Sequence, residues 1–115
     1  MAVIQEREEI MVLLIQKYDV RPEKAEAYMK WATESAIPSI LAVPGLVEFR
    51  GYRPFTGSHQ IAATYEFTDM AACAAWLAHE SYQKITQEFR QFTTNVHVEI
   101  WGPSPVVSAP LRPKK

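Results

Sequence analysis

Cysteine is almost missing from this chain. Cys73 stands alone, so no internal disulfide can form and no cysteine cluster can hold a metal. Its setting, MAACAAWLA, suits a small core residue on a helix. An excess of either charge is missing too: twelve basic side chains face thirteen acidic ones, for a formal charge of -1, which removes the electrostatic footprint of a nucleic-acid binder. No apolar run is long enough to span a bilayer, and no low-complexity tract interrupts the middle of the chain. The opening MAVIQEREEI mixes acidic and basic residues ahead of the first apolar run, the wrong polarity for a secretory signal, and reads as a short arm (1–9) on a cytoplasmic protein. What is present is ordinary globular material, 48% apolar and 22% charged. At 115 residues that supports one domain burying about two-thirds of its chain surface.

The segment IMVLLIQKYDV (10–20) is β-branched and aliphatic and is stopped by Arg21-Pro22, the pattern of a first strand. A helix is expected over 22–36: Pro22 suits its first turn, Glu23 and Glu26 lie near its positive end, and Tyr28, Trp31, Ala32 and Ser35 share a face. Pro38 is expected to end or kink it, and Pro44-Gly45 leads into a second strand, LVEFRGY. Turn residues TGSHQ join that strand to IAATYEF (61–67), a hairpin. Thr68-Asp69 then supplies a helix cap, and Cys73, Leu77, Tyr82, Ile85, Phe89 and Phe92 recur at spacings of three and four. The stripe slips between Leu77 and Tyr82, which places a bend or break near His79-Glu80-Ser81. NVHVEIW (95–101) alternates as a fourth strand, and the tail from 103 to 115 carries four of the eight prolines and must be extended.

Strand, helix, strand, strand, helix, strand is the split βαβ pattern of a ferredoxin-like α+β sandwich, an antiparallel four-stranded sheet with both helices on one face, here spanning 10–102. Alternation puts Val47 and Phe49, Ile61, Ala63, Tyr65 and Phe67, and Val96, Val98 and Ile100 beneath the helices. The other face then collects Glu48, Arg50, Tyr52, Thr64, Glu66, His97, Glu99 and Trp101. Strand one is apolar on both sides, so a lone sheet would leave aliphatic side chains in water. A second copy packed back to back through a two-fold axis would cover them, with Glu48, Arg50, His97 and Trp101 near the interface. A solvated outer face is the plain alternative and fits Glu48 and Glu66.

VPGLVEFRGYR after a helix, followed by IAATYEFTDMAACAAWLAHESYQKI, resembles the dimeric α/β-barrel proteins and, within them, the antibiotic-biosynthesis-monooxygenase-like group. In that group a Pro-Gly precedes strand two, and strand three runs through an aromatic into a helix with an aromatic and then a small hydrophilic break. The resemblance covers 10–102 and implies the fold, homodimerisation and small-molecule oxygen chemistry. Its heme-degrading branch uses a strand-one Asn, a helix-two Trp and a His further along. Trp76 matches the Trp, but Gln16 stands near the Asn position and Thr86 where the iron-binding His belongs, so axial ligation fails and heme is not expected. The cofactor-free branch, which oxidises quinol-like compounds with oxygen, carries an Asn and a Trp on strand three and a Tyr on helix two. Here those positions read Ala63, Phe67 and Cys73.

A pocket between sheet and helices would be walled by Tyr65, Trp31, Trp76, His79, Tyr82 and Gln16 or Tyr18, an apolar lining with few polar groups that suits an aromatic ligand. Candidate catalytic residues are His79, Trp76 and Tyr65, and candidate ligand contacts Trp31, Tyr82, Gln16 and Tyr18; no cofactor or metal is called for. Each has a plainer role. Trp31 and Trp76 supply bulk to inner helix stripes. His79 either caps the helix at the break or acts as a base near neutral pH. His97 fits a bond across a dimer, and His59 sits in a turn. The apolar Val106, Val107 and Leu111 either lie across a neighbouring subunit or belong to a frayed end. Two functions fit: a cofactor-independent monooxygenase for a small aromatic or quinol-type metabolite, or a non-catalytic dimer that binds a small hydrophobic ligand.

Overall fold

The computed structural model describes residues 11–114. Ile10 and the expected arm at 1–9 therefore lie outside the described residues. Strands β1 (Val12–Val20), β2 (Leu46–Tyr52), β3 (Ile61–Phe67) and β4 (Thr93–Trp101) form one antiparallel sheet in the order β2-β3-β1-β4. The helices follow β1 and β3, giving the ferredoxin-like topology expected from the element order. Among the described residues no helix is long and apolar enough to cross a membrane.

The first helical run is longer than the sequence suggests. A 3-10 turn at Pro22–Lys24 enters α1 (Ala25–Trp31), a π-helical turn follows at Ala32–Ala36, and α2 (Ile37–Leu41) completes the run. Pro38 was expected to end or kink the helix, yet it sits in the first turn of α2. Pro has no N–H and crowds the carbonyl four residues back. The π-turn just before it resolves both: the Ile37 N–H reaches back five residues to the Ala32 carbonyl, widening the backbone where Pro38 enters.

The second helical run breaks where the stripe slips. α3 (Met70–Ala78) starts at Asp69, whose Oδ1 accepts the Ala72 N–H at 2.8 Å. His79 then adopts an extended conformation (φ -76°, ψ 146°) and becomes the N-cap of α4 (Glu80–Phe89).

The core lies between the central strand pair and the helices. Register sets Val12 opposite Phe67 and Leu14 opposite Tyr65, and these pack with Ile40, Cys73 and Trp76. Two side-chain assignments need correction. Val47 does not share a face with Phe49, because β2 carries a bulge between Leu46 and Glu48; Leu46 and Phe49 pack on the core, and Val47 is exposed. On β4, Val98 and Ile100 do lie on the helix side, paired with Gln16 and Leu14, but with Val96 they stay exposed. β4 is an edge strand, and none of its residues joins the core cluster.

The outer face holds Arg50, Tyr52, Thr64, Glu66, His97, Glu99 and Trp101 as the alternation requires. Glu99 accepts from Lys17 Nζ at 3.3 Å and Trp101 Nε1 at 2.8 Å, and pairs with His97 at 3.1 Å. The indole and ammonium hold its carboxyl below the usual carboxylate range. The aliphatic strip expected on β1 is narrower than read: Ile15, between Thr64 and Glu99, is only 4% exposed, while Trp101 is 51% exposed.

Pro44-Gly45 joins the two layers. Gly45 has φ +81°, its carbonyl accepts the Thr68 N–H at 3.0 Å, and a Cβ there would meet Ala72 Cβ at 2.6 Å. Gly57 has φ +93° in open space. Gly45→Ala is therefore expected to destabilise by about 3 kcal/mol, combining left-handed strain with overpacking, against about 1 kcal/mol for Gly57→Ala. Urea midpoints of the two variants check this; equal losses would show that the Ala72 contact yields.

Candidate active site

Tyrosines dominate the space between sheet and helices. β1 directs Gln16 and Tyr18 to the helix side, β3 directs Ala63 and Tyr65, and the helical layer adds Tyr28, Trp31, Trp76, Tyr82 and Thr86; together they line a chamber of about 70 Å³. Of the seven site residues expected from sequence, Gln16, Tyr18, Trp31, Tyr65, Trp76 and Tyr82 come together here, and His79 does not.

The phenols of Tyr18 and Tyr28 hydrogen-bond each other, and the Tyr65 hydroxyl donates to Gln16 Oε1 at 3.4 Å. Burial pushes the Tyr18 phenol far up, reinforced by Tyr28. Burial likewise raises Tyr65 strongly, with Tyr82 beside it adding to the effect. Tyr28 is raised by burial, opposed by its bond to Tyr18. All three therefore stay protonated donors at neutral pH. Cys73, fully buried beneath α3, is also held as a thiol by burial.

Trp31 has its polar end committed: Nε1 donates to Glu88 Oε1 at 2.8 Å, while its ring packs on Phe92 at 5.3 Å. Trp76 differs. It is 3% exposed, meets the Tyr82 ring edge-on at 5.4 Å, and its Nε1–H is buried with no hydrogen-bond partner among the described residues. His79 stacks near Trp76 (6.4 Å, 28°) but lines a separate cleft of about 310 Å³ with Ser39, Val43, Pro44, Ala75 and Ser81. Its Nδ1 accepts the Ser81 N–H at 3.0 Å, the capping role weighed against a basic one from sequence.

Tyr28 is the site residue that sequence reasoning missed. Its signal was present, since it lies three residues before Trp31 on the same helix face, but its partner Tyr18 becomes visible only once β1 is placed. The lining does not suit heme: Thr86 offers no iron ligand and His79 lies off the chamber. Among the described residues no three His, Cys, Asp or Glu side chains converge to hold a metal.

The raised phenols have a consequence at alkaline pH. A folded pKa above the unfolded value of about 10 means stability is intact below that pH and falls above it, where only the unfolded chain ionises. Urea midpoints are expected to decline from about pH 10 upward, with a shallower slope in Tyr65→Phe. A flat profile, or one unchanged by that substitution, would mean Tyr65 ionises freely.

The family model for antibiotic biosynthesis monooxygenase matches residues 11–88. Among curated proteins none matches the chain. Among solved structures, SnoaB, a cofactor-independent oxygenase from Streptomyces nogalater, is similar with a TM-score of 0.62 at 20% identity, covering 79% of this chain and 90% of that one. A DABB family protein with a ferredoxin-like fold from Mesorhizobium loti has a TM-score of 0.72 at 14% identity, covering 83% of this chain and 98% of the other. A conserved protein from Methanosarcina mazei Go1 has a TM-score of 0.71 at 15% identity, covering 84% and 96%. At these identities the structures share the fold, whereas the family model covers most of the chain: the protein belongs to the antibiotic biosynthesis monooxygenase family.

Proposed function

We propose that the protein is a cofactor-independent oxygenase that oxidises a small aromatic or quinol-type metabolite between sheet and helices. The observation that carries this is the chemistry of the chamber wall. Among the described residues its ionisable groups are four phenols, Tyr18, Tyr28, Tyr65 and Tyr82, and no carboxylate, imidazole or amine lines it. Such a wall donates hydrogen bonds to a ring oxygen and supplies no base. The likeness to SnoaB agrees with it.

The substrate must then ionise on its own acidity, and the protein's part is to favour the oxyanion with fixed donors in a dry site. A ring CH2 becomes C=O: the carbanion attacks dioxygen to form a C–O bond, and the hydroperoxide loses water. Carbon supplies all four electrons that reduce dioxygen; a quinol such as menadiol instead gives up two electrons and two protons, leaving the quinone and hydrogen peroxide. We assign the donor role to Tyr65, whose hydroxyl makes only a long bond to Gln16 at 3.4 Å, and to the unpartnered N–H of Trp76. His79 lies off the chamber with its Nδ1 lone pair occupied by Ser81, so proton removal is not assigned to it. The missing base also favours a second reading, a protein that binds the aromatic without turning it over.

Oxygen uptake with anthrone, which would yield anthraquinone and water, and with menadiol separates the two. Uptake above buffer is expected, reduced about tenfold or more in Tyr65→Phe. No uptake above buffer would leave the binding reading.

Two copies pairing through the outer sheet faces form part of the same proposal. Arg50 lies over the Tyr52 ring at 5.1 Å and has no carboxylate within ion-pair distance among the described residues, while Trp101, on the opposite edge strand of the same face, is half exposed. A partner's carboxylate would meet that guanidinium. Sedimentation at micromolar concentration is expected to give twice the chain mass, falling to the single chain in Arg50→Glu. A monomer in the parent protein would remove the dimer.

A further inference from the structure

Among the described residues, Trp76 is the one side chain that lines both the tyrosine chamber and the cleft. The two spaces differ in size. A benzene-sized ligand needs a hole of about 150 Å³, so the chamber's 70 Å³ as it stands has room for dioxygen or the oxygen-bearing edge of a ring, and not for the whole ring. The cleft's 310 Å³ is in the range of small-molecule sites, and its composition is too: Ala42, Val43, Pro44 and Ala75 form apolar walls, and Ser39, Ser81 and His79 supply the polar groups.

Three further observations converge on the indole between them. Its N–H is buried and unpaired, an arrangement folded proteins seldom keep without a reason. Its neighbour His79 is where α3 and α4 come apart, so the backbone three residues on is not locked into a helix. Across the cleft, Ser39 and Ala42 follow the π-turn and Pro38, a second interruption. Breaks of this kind gather where a wall must give.

We propose that the cleft is the docking site for a planar aromatic bearing a ring carbonyl or phenolate oxygen, and that its binding rotates the Trp76 indole, joining cleft to chamber and turning Nε1–H onto that oxygen. This deepens the function proposed above and rests on it only for the identity of the ligand as substrate. The ring oxygen lies at the deep end, where dioxygen has room behind it. Substituents remain in the cleft beside Ser39 and Ser81. Since His79 Nδ1 accepts the Ser81 N–H, the neutral ring carries its hydrogen on Nε2, which is a donor for a polar substituent.

Menadione and 2-methylnaphthalene, which share a fused-ring frame and differ in the two carbonyls, make the test. Both are titrated calorimetrically into the full chain, with the indole N–H resonances followed by NMR. Menadione is expected to bind and shift the Trp76 N–H signal, assigned by its loss in Trp76→Phe; the hydrocarbon is expected to leave that signal's hydrogen-bond shift unchanged. Trp76→Phe, which keeps the bulk and removes the donor, should weaken menadione about fivefold and leave the hydrocarbon unaffected. Ala75→Leu, an exposed position on the cleft wall, should fill the cleft and abolish both. A Trp76 signal unmoved at saturation, unchanged binding in Ala75→Leu, or no menadione binding up to about 1 mM would overturn the proposal. Oxygen uptake is read separately. Binding with a shifted Trp76 but no turnover sinks the oxygenase reading and spares the site, whereas full turnover in Ala75→Leu sinks the site and spares the oxygenase.

Discussion

The fold depends on one seam. Leu14 and Phe67 lie on the central strand pair with almost no exposure, and α3 rests on that pair because Cys73 and Trp76 fall one helical turn apart and project to the same side. Asp69 fixes where that helix starts, and the Pro44-Gly45 turn fixes how close it lies, since Ala72 occupies the space a side chain on Gly45 would fill. With α3 set, the indole of Trp76 is carried to the boundary between the chamber and the cleft. The candidate site is thus a by-product of core packing, and the residue that separates its two spaces is itself a core residue.

Much of this was legible in the sequence, and the exceptions have physical reasons. Hydrophobic period and turn residues gave the order of elements, the Asp69 cap and the break at His79, because each is decided within a few neighbouring residues. The Val47 orientation failed because a bulge inserts one residue into β2 without leaving a mark in its pattern. Val96, Val98 and Ile100 read as core because alternation reports which face a side chain takes and not whether a helix reaches that far. Pro38 read as an end or a kink because the π-turn that accommodates it has no composition of its own.

The site followed the same rule. Aromatic residues on inner faces were bound to meet somewhere, so five expected aromatics share one chamber, joined by Gln16 from the same face of β1 as Tyr18. The pairing of Tyr18 with Tyr28 and the solitary N–H of Trp76 are relations between elements distant in sequence, and no local pattern encodes them. His79 shows the opposite case: its position at a break was readable, and the geometry of the break then engaged its Nδ1 in the cap of the next helix.

Cys73 carries a last implication. Peroxide attacks thiolates first. The lone sulfur sits sealed under α3 and keeps its proton, so peroxide in solution finds no ionised cysteine sulfur on the described surface to convert to a sulfenic acid. Oxidative damage by that route is closed off by the same packing that seats the helix.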